Sequence, residues 1–100
     1  MHYLVTNLDH PSKEALRLET RDEHLAYLRS QTTVRLVLAG PLMSDDGTTM
    51  TGSHLVVEAE SRAAVEAFCA ADPYAKAGLF QESQIHPWKW IIGNPDAKAT

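Results

Sequence analysis

The order of strand-type and helix-type segments constrains the fold of this 100-residue chain more than any other feature. Stretches rich in β-branched and aromatic residues predict four strands, and two stretches of helical composition predict two helices. The strands are expected at residues 2–8, 34–39, 49–59 and 79–92, and helical composition covers residues 12–31 and 62–71. The order β-α-β-β-α-β predicts an α+β fold of the ferredoxin-like type, with a four-stranded antiparallel sheet and both helices on one face. The other face is then expected to be a dimer surface or the floor of a pocket.

Local signals give the expected ends of these segments. Thr20-Arg21-Asp22-Glu23 matches the S/T-x-x-E capping box, so the main helix is expected to begin at Thr20, after a lead-in or separate turn. Gly40-Pro41 is expected to end the second strand. Gly52, inside the third strand, predicts a bulge or the close approach of another backbone. Ser61 is expected to cap the second helix.

Composition and charge limit the partners of the chain. Apolar residues make up 44% and charged residues 22%, which predicts one ordinary globular domain over residues 1–92, with a polar tail at 93–100. A net charge of −4 and a pI of about 5.6 argue against nucleic acid or an anionic membrane as a partner. No apolar run approaches the roughly 20 residues that span a bilayer, and the N-terminus lacks signal-peptide features, so a cytoplasmic location is expected. Cys69 is the single cysteine, which excludes an internal disulfide and favours a plain buried thiol.

His24 is the first candidate for chemistry, because an imidazole titrates near neutrality and can act as a general base or acid. It lies near the start of the predicted main helix. Arg21, His24 and Leu28 share one face of that helix through their i, i+3 and i+7 spacing. By position alone, a surface or packing histidine is the commoner case.

Asp72 is the second candidate. Aspartate is a favoured N-cap, proline suits the first helical position, and glycine ends helices, so the stretch ADPYAKAG predicts one capped turn over residues 73–77. A cap also holds its carboxylate ionised and in place. That is what a carboxylate needs if it is to orient a histidine and stabilise its imidazolium, so the structural and catalytic interpretations of Asp72 are compatible.

No motif for a metal or a phosphate is present. The other four histidines lack the H-x-x-x-H and H-E-x-x-H spacings, so no metal site is expected. Asp45-Asp46 is not accompanied by the rest of a calcium loop. In the last strand, which Pro87 is expected to interrupt, Trp88 and Trp90 fall on one face. Core or dimer interface is the default interpretation for this pair, and a stacking surface for an aromatic ligand is the alternative.

Five short motifs nevertheless form an ordered set: Arg21-x-x-His24, Ala39-Gly40-Pro41, Gly52-Ser53, Asp72-Pro73-Tyr74 and Ala77-Gly78. Over about residues 1–92 this set resembles the YciI-like (YCII-related) family of small bacterial proteins. The resemblance implies a ferredoxin-like domain that dimerises through its sheet, in the manner of dimeric α+β barrels. It also implies a His–Asp pair proposed as catalytic, which maps onto the histidine of the first motif and the aspartate of the fourth.

The family resemblance also implies a chemistry. An assigned member is a dehydrochlorinase that removes HCl from a chlorinated hydroxyhydroquinone in aromatic breakdown. By this resemblance His24 is the general base on a small, quinone-like ring substrate, and Asp72 orients it. No cofactor is needed for proton transfer coupled to elimination. The alternative is a dimer without catalysis, either a small-ligand-binding or a structural module, in which His24 is only a surface residue and Asp72 only a cap.

The remaining expected site residues bind the substrate. Arg17 or Arg21 is expected to stabilise a developing oxyanion. Ser53 and Tyr74 are expected to supply hydrogen bonds, and Trp88 to stack on the ring. The short segment 42–51 and the tryptophan pair depart from the commonest form of the family, so the identity of the substrate does not carry over with the resemblance.

Overall fold

The computed structural model describes residues 1–95, in which four strands and three helices follow one another. Their bounds, in chain order, are β1 His2–Asp9, α1 Glu14–Arg29, β2 Arg35–Met43, β3 Met50–Glu58, α2 Arg62–Ala71, α3 Pro73–Lys76 and β4 Phe80–Trp88. The strands pair antiparallel in the order β2-β3-β1-β4. This confirms the predicted β-α-β-β-α-β fold, and α3 is the single turn predicted between the second helix and the last strand. Of the predicted tail, residues 96–100 lie outside the described residues.

One face of the sheet forms the hydrophobic core. Alternate residues of β1 point to this face, where Tyr3 and Val5 lie opposite Val57 and Leu55 of β3. Because β1 and β3 are the two central strands, these side chains are almost fully buried. The two long helices cover this face, and the side chains that they contribute to the core are Leu28, Val65 and Phe68.

The opposite face of the sheet is left uncovered by the helices of residues 1–95. It carries the other set of alternate residues, among them Leu8, which is 42% exposed, and Leu38, which is 55% exposed. Thr6 and His54 lie on it as a cross-strand pair, with Thr6 Oγ1 3.1 Å from His54 Nδ1. A face of mixed apolar and polar side chains is typical of an antiparallel sheet with one wet or subunit-facing side.

Helix α1 begins six residues earlier than predicted. The prediction of a start at Thr20 was wrong: the helix runs without interruption from Glu14, and Thr20 is a buried interior residue. The first turn is held by tertiary contacts, since Glu14 Oε2 accepts a hydrogen bond from the Met50 backbone N–H, at 2.9 Å. With 16 residues α1 is the longest helix of residues 1–95, and no helix there is long and apolar enough to cross a membrane.

Two proline-containing segments also differ from expectation. Gly40-Pro41 does not end β2, which continues to Met43, and Pro87 does not interrupt β4. Both strands lie at the edges of the sheet, where a residue without an N–H is tolerated because one side of the strand needs no partner. β4 ends at Trp88, so Trp90 is not in the strand as predicted. Its ring stacks on that of Trp88, with centroids 5.7 Å apart.

The predicted start of α2 is confirmed. Ser61 has extended backbone angles and its Oγ accepts a hydrogen bond from the Ala64 N–H, at 3.2 Å. Val65 and Phe68 are buried beneath the helix, and Cys69 is partly buried beside them.

Gly52 is predicted to be essential for the fit between β3 and β1. A Cβ atom at this position would lie 2.2 Å from the backbone carbonyl oxygen of Asn7, which cannot move without disturbing the sheet. We expect Gly52→Ala to lower the free energy of unfolding by about 1–3 kcal/mol, as overpacking does elsewhere. Urea unfolding monitored by circular dichroism measures this change. Gly40→Ala is the matched control, because a Cβ there meets no atom within 4 Å. Equal stability of the two variants would contradict the prediction.

Candidate active site

The buried face of α1 carries an unusual number of polar side chains. Its buried residues are Arg17, Thr20, His24 and Leu28, spaced by three or four positions along one stripe. Three of the four can form hydrogen bonds, and one carries a permanent charge. A buried charge or imidazole needs a hydrogen-bond partner, so polar side chains from other elements must pack against this stripe.

His24 and Asp72 are in direct contact. Nδ1 of His24 lies 2.8 Å from Oδ1 of Asp72, and both side chains are almost fully buried. Asp72 ends α2 and caps α3, where the same carboxylate oxygen accepts the Tyr74 backbone N–H at 2.9 Å. The cap therefore holds the Asp72 carboxylate where it can also contact His24 on α1, which lies 48 residues earlier in the chain.

This contact determines the tautomer of the imidazole. The Asp72 carboxylate accepts hydrogen bonds, so the proton of a neutral His24 is placed on Nδ1 and the lone pair on Nε2. Within residues 1–95 no group hydrogen-bonds to Nε2. The arrangement leaves one ring nitrogen available to take a proton from a bound molecule, with an anion behind it to stabilise the resulting imidazolium.

The turn that carries Asp72 is closed by backbone hydrogen bonds. Gly78 has a positive φ of 75°. Its N–H donates to Ala75, and the next N–H, of Leu79, donates to the Tyr74 carbonyl. This is the Schellman arrangement, and it closes the C-terminal end of a four-residue helix whose N-terminal end is capped by Asp72.

Tyr74 packs against the buried polar side chains of α1. Its ring stacks on His24 with centroids 3.9 Å apart and planes 15° apart, and the Arg17 guanidinium lies 4.7 Å from the same ring. Burial raises the pKa of Tyr74, and the nearby charges of Arg17 and Arg21 partly offset this shift. The phenol is therefore neutral at cellular pH and can donate a hydrogen bond.

Two side chains of the sheet, one on β1 and one on β3, accept hydrogen bonds from the Arg17 guanidinium. Its Nε and Nη2 donate to the two carboxylate oxygens of Asp9, at 2.7 and 3.0 Å, and Nη2 also donates to Ser53 Oγ at 2.9 Å. The side chains of Arg17 and Asp9 are about 95% buried, so each neutralises a charge that would otherwise be very costly. Ser53 accepts from Arg17, which leaves its own O–H free to donate.

A cavity of about 200 Å³ opens beside these residues. Five polar side chains line it: Arg17, Arg21, His24, Ser53 and Tyr74. The opposite wall is apolar and comes partly from β2 and β3, through Ala39, Pro41 and Leu55. A small concave site with an apolar wall and a few converging polar groups is typical of small-ligand binding.

The structure brings six of the seven predicted site residues together. The exception is Trp88, which is absent from the cavity lining. It pairs with His2 across β1 and β4, so the sheet pleat places it on the uncovered face, opposite the side on which Ser53 and Leu55 reach the cavity. Contact between Trp88 and a ligand in the cavity of the same chain is therefore not supported.

Two contributors to the site were not predicted. Asp9 directly follows the predicted first strand and was assigned no role, yet it is the counter-ion of Arg17. Pro41 was interpreted as a turn residue, yet it lines the cavity from an edge strand. An eight-residue separation between Asp9 and Arg17 follows no helix or strand period, so no local pattern marked this pair.

The surroundings of Asp72 contain no activated nucleophile. Burial, followed by the negative charges of Asp72 and Glu66, raises the pKa of Cys69 to about 11, so its thiol is protonated at cellular pH. The pKa of Tyr27 is also raised, first by burial and then by Asp72. Among residues 1–95 no group of three His, Cys, Asp or Glu side chains is arranged to hold a metal ion.

Comparisons with known proteins connect this geometry to a family. The family model described as YCII-related domain matches residues 1–89. Protein YciI of Escherichia coli O6:H1 is 34% identical over 98 residues, which cover 92% of this chain and all of that protein. An uncharacterized protein of Haemophilus influenzae is 33% identical over the same length and the same coverage.

Solved structures agree with this relationship. The 5-chloro-2-hydroxyhydroquinone dehydrochlorinase (TftG) of Burkholderia phenoliruptrix AC1100, in complex with 2,5-dihydroxybenzoquinone, superposes with a TM-score of 0.80 at 35% identity, covering 89% of this chain and 94% of that one. An antibiotic biosynthesis monooxygenase superposes with a TM-score of 0.57 at 11% identity, covering 90% and 97%, and shows the shared fold alone. With the family match over residues 1–89 and relatives at 33–34% identity, the chain belongs to the YCII-related family, as its ordered motifs predicted.

Proposed function

We propose that the protein is a cofactor-independent lyase that removes HCl from a chlorinated hydroxyhydroquinone in aromatic catabolism. The observation that carries this proposal is the buried His24–Asp72 contact of 2.8 Å, with the second ring nitrogen of His24 unpaired at the wall of a cavity. The similarity to TftG, at 35% identity over most of both chains, supports the class of reaction and of substrate.

The proposed reaction proceeds by proton transfers alone. His24 Nε2 takes the proton of one ring hydroxyl, and a proton is added at the ring carbon that bears chlorine, which gives the keto tautomer. Loss of the proton from the hydroxyl para to the new carbonyl then pushes an electron pair through the ring, and chloride leaves with the pair of the C–Cl bond. The products are a hydroxyquinone and HCl, so atoms and electrons balance without an external oxidant.

Asp72 and the other polar groups of the cavity support this step. The carboxylate of Asp72 holds the imidazole in the reactive tautomer and stabilises its protonated form. Ser53 and Tyr74 each have a hydroxyl that can donate to the oxygens of the ring. A positioned general base of this kind typically supplies about 10²–10⁴-fold in rate.

A homodimer is the second part of the proposal. The face of the sheet that the helices leave uncovered carries exposed apolar side chains, including Leu8 and Leu38. Covering it with the same face of a second copy would remove this apolar area from water, and the stacked Trp88 and Trp90 lie at one end of that face.

A cytoplasmic location stays a prediction from the N-terminal sequence.

We expect His24→Gln to lower the turnover of 5-chloro-2-hydroxyhydroquinone about 10²–10⁴-fold, because the glutamine amide cannot accept the proton. Chloride release and the absorbance of the hydroxyquinone product measure this turnover. His10→Gln is the matched control, because His10 is exposed and lies outside the cavity. Full turnover by a folded His24→Gln variant would refute the catalytic proposal. Tight ring binding by the wild type without any turnover would favour the alternative of a ligand-binding module.

Asp72→Asn tests the orienting role separately from the capping role. Asparagine caps a helix about as well as aspartate, so thermal unfolding should change little. An amide cannot stabilise the imidazolium and can impose the wrong tautomer, so turnover should fall by up to about 10⁴-fold. A folded variant that keeps both its stability and its turnover would show that Asp72 is only a cap.

Leu38→Glu tests the proposed dimer surface. We expect the wild type to sediment as a dimer and this variant as a monomer, because the introduced charge would be buried in the interface. Leu18→Glu is the matched control, because Leu18 is 56% exposed on α1, away from the uncovered face. A wild-type protein that stays monomeric at micromolar concentration in analytical ultracentrifugation would contradict the proposal.

A further inference from the structure

The two arginines of the cavity differ in how their charges are neutralised. Arg17 is about 96% buried and makes a two-pronged ion pair with Asp9, and it also donates to Ser53. The charge of Arg17 is therefore neutralised by Asp9 within the protein. It serves to hold α1 against the sheet and to fix the Ser53 hydroxyl.

Arg21 has no such counter-ion. In the part of the chain that the structure describes, no carboxylate forms an ion pair with it. The residues three and four positions away on the helix, which are its neighbours on the surface, are Leu18, His24, Leu25 and Arg17. None of them is acidic, and Arg17 adds a second positive charge one turn away.

The cavity lining therefore includes one cation, the exposed Arg21, that forms no ion pair with a carboxylate among residues 1–95. Of its polar lining residues, Arg17 is neutralised by Asp9 and His24 is paired with Asp72, and no carboxylate belongs to the lining among residues 1–95. Arg21 remains, and it lines the same cavity as Tyr74, whose pKa its charge lowers. A cationic site with a low-dielectric wall attracts an anion and repels a cation.

We propose that Arg21 binds the oxyanion of the ligand, and that the cavity therefore selects a ring compound whose hydroxyl is ionised over the neutral form. This inference rests on the proposed function for the identity of the ring, and it assigns to Arg21 the role that the sequence left open between Arg17 and Arg21. Arg21 and His24 are three residues apart on one helix face, so one ring oxygen on Arg21 leaves another within reach of the imidazole.

The tyrosine beside Arg21 fits this assignment. The Tyr74 phenol is neutral at cellular pH, because burial raises its pKa. It can therefore donate a hydrogen bond to the same oxyanion. A cation and a neutral donor on one side, with an apolar wall opposite, form a site for a flat anion.

The test is a binding experiment that needs no turnover. Isothermal titration at pH 7 gives the dissociation constants of 2,5-dihydroxybenzoquinone, whose hydroxyls are ionised at this pH, and of neutral hydroquinone. Arg21→Gln should weaken binding of the anion about 10- to 100-fold, the usual effect of losing a charged hydrogen bond, and leave hydroquinone binding within about twofold. Arg21→Lys should restore part of the loss, because it keeps the charge.

Two controls separate this effect from others. Arg29→Gln removes the same charge from the exposed last turn of α1, outside the cavity, and should leave both dissociation constants unchanged. Raising the ionic strength to about 0.5 M should weaken anion binding by the wild type but not by Arg21→Gln. Thermal unfolding of each protein, recorded in parallel, shows whether the variants that are compared are folded, and the salt dependence of the wild type needs no variant.

Three outcomes would overturn the proposal. They are equal losses for the anion and for hydroquinone in Arg21→Gln, unchanged anion binding in that variant, and a wild type that binds the anion no more tightly than hydroquinone. Its failure is distinct from failure of the proposed function, because that function is tested by the turnover of His24→Gln. Loss of turnover in His24→Gln with anion binding insensitive to Arg21 would refute this inference alone.

Discussion

The structure depends on the need to neutralise charged and polar groups buried along one face of α1. Arg17 and His24 are both turned inward on this helix, where little of either side chain is exposed to water. Each has an aspartate partner from a different part of the chain, Asp9 at the end of β1 and Asp72 between α2 and α3. Breaking a buried pair is far more costly than the pair itself is stabilising, so these contacts fix where α1 and α3 lie on the sheet.

Asp72 shows how one side chain can cap a helix and also orient a buried imidazole. Its Oδ1 accepts the Tyr74 N–H as a helix cap and also lies against His24 Nδ1. The cap is itself rigid, because the four-residue turn is closed by the hydrogen bonds around Gly78. The orientation of the imidazole is therefore supported by main-chain geometry, which a flexible carboxylate on the surface could not supply.

Much of the fold could be predicted from the sequence, because it follows from local patterns. The order of elements, the Ser61 cap, the close approach at Gly52 and the capped turn after Asp72 all arise from residue types at fixed short spacings. The errors arose where tertiary structure overrides such patterns. Thr20 begins no helix because contacts at Glu14 extend α1 backwards, and Gly40-Pro41 ends no strand because an edge position tolerates proline.

The candidate site shows the same division between local and long-range information. His24 and Asp72 could be proposed as site residues from their chemistry and from a family resemblance. The distance between their side chains could not be predicted, because they are 48 positions apart in the chain and no local pattern relates such residues. The partnership of Asp9 with Arg17 was missed for this reason. Trp88 was predicted to contact the ligand because the register of β4 against β1 was unknown. A shift of one residue in that register moves a side chain to the other face of the sheet.

The cavity wall formed by β2 has a consequence for how such a protein can change its substrate. The groups proposed to move protons lie on α1 and at the start of α3, whereas part of the apolar wall lies on an edge strand, at Ala39 and Pro41. An edge strand has a neighbour on one side only, so new side chains there can reshape the cavity while the central strands keep their packing. If the proposed function holds, a few substitutions on this edge could fit the cavity to rings of other shapes while His24 and Asp72 stay in place, which makes the edge a starting point for directed evolution of the domain.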